Sequence, residues 1–330
     1  CGARQPGNTH WHRKAFTLQQ KYWNGSQTFC YEEQKEFTEH LLSELTEIRT
    51  NYRERLSDVN LIDGKSRYAF CENVKFLSQN CTSDMLSVSH KVMQKSVDIL
   101  KESPPCSFTA VAIGSMARGE STPYSDLEYL FLIESKTSEI ERYFQRLAMT
   151  SYFLIGNLGE TKLSYMAIDE LTERNWFDDK SKNGFKIDGL AQGAGNIPTG
   201  NGSANKENHF ILTPAELLDK YRNILLHPDP KEALRGDLTA MVKYMKPIFT
   251  YGVTGTSLLE NLRSEIEEIA PNKARIDINQ NMLQRDMKNF DFKPNPELQR
   301  QGFTVNVKKQ LFRFPSIILL DLAIAFRIHG

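Results

Sequence analysis

Residues 112–134, AIGSMARGESTPYSDLEYLFLIE, constrain this chain more than any other stretch. An apolar strand runs into Gly114-Ser115, a polar turn follows, and Asp126-Leu127-Glu128 heads a second apolar strand. Side chains alternate along a strand, so Asp126 and Glu128 point the same way while Leu127 turns to the other face. Two carboxylates about 4 Å apart repel by roughly 4 kcal/mol at an effective dielectric near 20, which favours either a protonated acid or a bound cation. Hard oxygen ligands with no Cys or His nearby suit Mg²⁺ or Mn²⁺. Gly114 permits close backbone approach, and the amides around Ser115, with its hydroxyl, can hold a phosphate at a helix start. The pattern predicts a metal-nucleotide site.

Elsewhere the periodicity predicts an α+β chain in three parts. Residues 1–107 form an N-terminal arm and helices, 108–212 a sheet domain, and 213–330 a C-terminal helical module. Between residues 31 and 56, Phe37, Leu41, Leu45, Ile48, Tyr52 and Leu56 recur every three to four residues, a long amphipathic helix. A second helix is predicted over 83–101 and stopped by Ser103-Pro104-Pro105. Strands follow at 108–113, 126–133 and 184–188, with a helix over 138–154 between the last two. The Gly-rich stretch 189–202 lacks the endings of a P-loop or a Rossmann turn. Thr213-Pro214-x-Glu216 combines an N-cap, a Pro at the first helical position and a capping-box acid. Helices are then predicted at 214–226, 231–251, 256–269 and 315–328.

Composition narrows the functional classes. With 330 residues the chain can bury about three quarters of its unfolded surface. Lys plus Arg and Asp plus Glu number 41 each, so no net positive field draws in a long nucleic acid, and a free nucleotide or a protein is the better substrate class. Five cysteines at irregular spacings, without CxxC or a nearby His, predict reduced thiols and a cytoplasmic location. The longest apolar run, 317–326, is interrupted by Asp321 and too short to span a bilayer. A chain that begins at Cys1 and ends within a helical pattern is expected to be a piece of a larger polypeptide.

The order Gly114-Ser115-x-x-Arg118-x-Glu120-x-x-Pro123-x-Ser125-Asp126-x-Glu128 resembles the polymerase-β-type nucleotidyltransferases. Within them it is similar to the DUF294-like branch related to the N-terminal domain of protein-PII uridylyltransferase. Leu158-Gly159-Glu160-Thr161, Trp176-Phe177-x-Asp179, Gly184-x-x-x-Asp188-Gly189, Pro198-x-Gly200, Thr213-Pro214-x-Glu216-Leu217 and Phe312-Arg313-Phe314-Pro315 look like later blocks of that branch. The likeness spans roughly residues 108–330.

The resemblance implies a polymerase-β-like sheet domain flanked by helical segments, with the nucleotide between the sheet and the C-terminal helices. It also implies transfer of a nucleoside monophosphate from an NTP to an acceptor hydroxyl on a protein or small molecule, with release of pyrophosphate. Asp126, Glu128 and Asp188 would hold two Mg²⁺ or Mn²⁺ ions about 3.5 to 4 Å apart, with Asp188 helping to deprotonate the acceptor. Asp188 falls in the Gly-x-x-x-Asp-Gly block, and if Phe185 and Ile187 share the core face it turns away from it; Asp169, Asp178 and Asp179 are the alternatives. Gly114 and Ser115 would hold the triphosphate tail. Arg118 either contacts phosphate or pairs with Glu120, and Ser125 either joins the site or caps the turn. Lys243, with Lys246 and Tyr251, would lie on a helix that closes over the triphosphate. Two other readings share these residues: a nucleotide-binding regulatory or scaffold module, and a synthase of cyclic or oligomeric nucleotides.

Overall fold

The computed structural model describes residues 31–60, 67–158, 185, 210–219 and 245–269. Helix α1 (Tyr31–Asn60) follows the predicted stripe, burying Leu41, Leu42, Leu45 and Ile48. Helix α2 (Arg67–Leu100) starts sixteen residues earlier than the predicted 83–101. The buried stripe of Met85, Val88 and Val92 continues upstream through Cys81 and Leu77 at four-residue spacing. Polar residues and the exposed Phe70 and Phe76 hide that continuation in the sequence. The helix ends as Lys101 adopts a left-handed φ of 53°, ahead of Pro104 and Pro105.

Strand β1 (Phe108–Ala112) and strand β2 (Tyr129–Ile133) pair antiparallel, with Phe108 opposite Ile133 and Ala112 opposite Tyr129. The five-residue helix α3 (Gly114–Arg118) lies between them in sequence, and α4 (Ser138–Gly156) follows β2. Thr137 caps α4, its side chain accepting from the Ile140 amide at 3.2 Å, while Glu139 and Glu141 complement the first-turn dipole. Strand β3 (Ile211–Leu212) joins β2 in parallel, and strand β4 (Lys246–Tyr251) joins β1 antiparallel, giving the order β3-β2-β1-β4.

Residues 246–251 are therefore strand, correcting the helix predicted over 231–251. Pro247 has no amide to donate, and Ile248, Phe249, Thr250 and Tyr251 are strand formers. The sheet accommodates the proline on its edge, where the register slips between Ala110 and Val111. Of the predicted strand 184–188, only Phe185 is described, and it is fully buried. Helix α5 (Gly255–Ile269) matches the predicted 256–269, and residues 214–219 are helical.

One face of the sheet builds the main core. Phe108, Ala110, Ala112, Tyr129, Phe131 and Ile133 pack into one cluster with residues of α1, α2 and α4. Phe108 is its hub, with ring centroids 4.9 Å from Phe144, 5.8 Å from Phe249 and 5.9 Å from Phe131. Aromatic pairs at these distances contribute about 0.5–1.5 kcal/mol each beyond the area they bury. Inside the cluster the Tyr129 hydroxyl meets Ser151 Oγ at 2.7 Å, and burial pushes its phenol well above the ordinary value. The chain divides into two units, Cys1–Pro214 with Met245–Leu259, and Ala215–Tyr244 with Glu260–Gly330. The first contains all the site residues described below. Among the described residues no helix is long and apolar enough to cross a membrane.

Candidate active site

Strand alternation carries past the regular ladder into the acidic pair. Leu127 is buried and joins the same core cluster as Tyr129 and Phe131, whereas Asp126 and Glu128, of the opposite parity, are half-buried. The regular strand starts at Tyr129 rather than at 126, but the Ile113 amide donates to the Glu128 carbonyl at 2.9 Å and extends the pairing to the acids. The end of β1 and the Asp-x-Glu segment are thereby held side by side.

Helix α3 begins at this point. Ile113 is extended and provides no side-chain cap, and Gly114 has a φ of 65°. Met116 and Ala117 are buried and anchor the helix, leaving Ser115 and Arg118 half-exposed. The first turn of a helix has amides without intrahelical carbonyls, suited to an anion. The close approach expected at Gly114 is made by Glu128: a Cβ on Gly114 would overlap Glu128 Oε2. Gly119, with a φ of 76°, closes α3, its amide and that of Glu120 donating to the Met116 and Ser115 carbonyls.

The remaining predicted residues divide as follows. Arg118 Nε donates to Glu120 Oε2 at 2.9 Å, so the pairing alternative is the one present. Ser125 caps the turn, its hydroxyl accepting from the Thr122 amide at 2.9 Å and its amide donating to the Thr122 carbonyl at 3.0 Å. Asp188 and Lys243 lie outside the described residues, as do Asp169, Asp178 and Asp179. Among the described residues no group of three His, Cys, Asp or Glu side chains comes together as a metal site. Asp126 and Glu128 are the two hard-oxygen donors that the turn supplies.

Two further features differ from the sequence reading: the setting of Lys246, and a fastening of the turn that was not assigned. Lys246 lies on β4 opposite Ala112, and a Cβ on Gly119 would stand 3.5 Å from its Nζ. Burial holds its ammonium below the ordinary lysine value, and among the described residues no carboxylate pairs with it. Its place on a strand beside α3 replaces the helical position predicted for it. The second feature is the fastening of the turn. The Ser121 amide donates to Thr82 Oγ1 on α2 at 3.1 Å, and Tyr124 contacts Arg49 and Arg53 of α1. A Thr or Arg on an amphipathic helix carries no local sign of such a contact.

Residues 70–160 match the family model described as putative nucleotidyltransferase DUF294. The match runs from α2 through β1, α3, β2 and α4 and so contains both Gly114-Ser115 and Asp126-x-Glu128. This segment is similar to the nucleotidyltransferases of that family. The later blocks, from Trp176 to Pro315, fall beyond it. No curated protein matches the chain.

Proposed function

We propose that the chain is a metal-dependent nucleotidyltransferase of the polymerase-β type, close to the protein-PII uridylyltransferase branch, acting on a protein acceptor. The observation that carries this reading is the seating of Glu128 against Gly114, beside Asp126 and at the start of α3. It joins an acidic pair to a glycine-serine turn within a segment that matches a nucleotidyltransferase family.

The donor set fits Mg²⁺ or Mn²⁺, being carboxylate oxygen, and among the described residues no group of three His, Cys, Asp or Glu forms a different metal site. Asp126 and Glu128 would hold the cation, with Asp188 as the proposed third ligand. When bound, the cation supplies charge neutralisation for the phosphates and acidifies the acceptor hydroxyl. The Ser115 hydroxyl and the first-turn amides of α3 would orient the phosphate oxygens, and the Lys246 ammonium would offset their charge. Asp188 would take the acceptor proton as the acceptor oxygen bonds to the α-phosphorus and the bond to pyrophosphate breaks. Arg118, braced by Glu120, would keep the turn in shape.

The test is incubation of the chain with each labelled NTP, Mg²⁺ and cell lysate. Label on a protein, abolished by chelator, is the expected result. Label in RNA or in a cyclic product would move the reading to another synthase class, and no label with any NTP would leave a nucleotide-binding regulatory module.

A further inference from the structure

The turn carrying the acids is fastened from outside the segment that matches the family. Tyr124 stands two residues before Asp126, and its hydroxyl accepts from Arg53 Nη2 at 2.6 Å, across 71 residues of sequence. The Arg49 guanidinium lies 5.0 Å from the centroid of the same ring. Both arginines belong to α1, upstream of residues 70–160. At the other end of the turn the Ser121 amide is tied to Thr82, which donates in turn to the Ser78 carbonyl at 2.8 Å. Between these points the turn is closed by Thr122 and Ser125.

Tyr124 remains 37% exposed, so its ring adds little to the core. What it provides is direction. A hydroxyl bonded to one guanidinium and a ring beneath a second fix a side chain that emerges just before the acids, and a short turn transmits that fix to Asp126. We infer that Tyr124, held by Arg49 and Arg53, is a positioning residue for the Asp126–Glu128 cation site, which makes α1 part of the working site. The inference rests on the nucleotidyl-transfer reading above.

The test uses the full chain with Tyr124→Phe, which keeps the ring and removes the hydroxyl, Arg53→Ala, which removes its partner, and Arg53→Lys, which restores a donor. Mn²⁺ uptake in the presence of a non-hydrolysable ATP, GTP, CTP or UTP analogue is followed by the spectroscopic signal of free Mn²⁺, and amide exchange is measured over residues 121–128. Tyr124→Phe and Arg53→Ala are expected to weaken Mn²⁺ uptake about tenfold and to speed exchange in the turn, with turnover falling while the nucleotide KM, measured at saturating Mg²⁺, stays near wild type. Arg53→Lys should recover most of the uptake. Wild-type Mn²⁺ affinity in both Tyr124→Phe and Arg53→Ala would overturn the inference. Should Tyr124→Phe fail to fold, the Arg53 pair decides alone. If the wild-type chain itself takes up no Mn²⁺ with any analogue, the transfer reading fails and this inference with it, an outcome distinct from indifferent variants of a competent wild type.

Discussion

Gly114 and Glu128 are in such close contact that a Cβ on the glycine would overlap the carboxylate oxygen Oε2 and stand 2.8 Å from Cδ. Gly114 opens α3 just after β1 and Glu128 stands just before β2, so the missing side chain of the first creates the seat of the second. The glycine is required twice over, because its φ of 65° is also unfavourable for any residue with a Cβ.

Gly114→Ala separates these two requirements. The left-handed φ should cost about 1–2 kcal/mol of stability, while the steric conflict is relieved by moving the flexible end of Glu128 out of its seat. Nucleotidyl transfer should then fall roughly 100-fold or more, the scale for losing one preorganised electrostatic group. Thermal melts and turnover on the same preparation check this. A loss of turnover no greater than the loss of folded protein would show that the seat of Glu128 is immaterial.

Asp126→Asn combined with Glu128→Gln tests the acids as ligands. The pair keeps shape and removes charge, so the fold should survive while Mn²⁺ uptake and transfer disappear. Calorimetric titration of NTP with and without a divalent cation provides the binding readout. The wild type should bind only with the cation, and the double variant should show no such dependence. Equal wild-type affinity in both conditions would separate nucleotide binding from metal.

Much of this site was legible because its signals are local. The alternation of Asp126, Leu127 and Glu128 needs only a period of two, and α1 and α4 follow from a period near 3.6. Local pattern was less reliable where two tendencies competed. The first half of α2 carries exposed Phe70 and Phe76 off its buried stripe, and β4 was obscured because its lysine and aromatic residues continue a helical spacing from upstream. The Tyr124–Arg53 contact could not be read at all. A pair 71 residues apart depends on how two helices pack beside a turn, and neither residue records that arrangement in its neighbours.

The cysteines give a prediction independent of function. Burial, with the nearby charge of Asp84, pushes the Cys81 thiol up to about 12, whereas Cys71 on the same helix is exposed. The thiolate is the reactive form, so iodoacetamide at pH 8 should label Cys71 in the folded chain and reach Cys81 only once denaturant unfolds it. Peptide mass spectrometry distinguishes the two. Equal labelling of both under native conditions would contradict the packing of Cys81 between α1 and α2.

Lys246 links stability to nucleotide binding in opposite directions. Desolvation on β4 lowers its pKa in the folded chain relative to the unfolded one. Between those two values the unfolded chain binds more protons, so stability should rise as pH climbs through that alkaline interval; below it, the buried charge weighs against folding. Lys246→Met removes the charge and keeps most of the stem. It should be at least as stable as wild type at neutral pH and lose the alkaline gain. If the ammonium answers the phosphates beside α3, the same substitution should weaken NTP binding about tenfold, a loss of about 1.4 kcal/mol. Melting curves from pH 7 to 10.5 and nucleotide titrations at pH 7 test both halves. A variant that is less stable but binds NTP normally would make Lys246 a structural brace for the end of α3; one that is stable but binds NTP weakly would place it among the phosphate ligands.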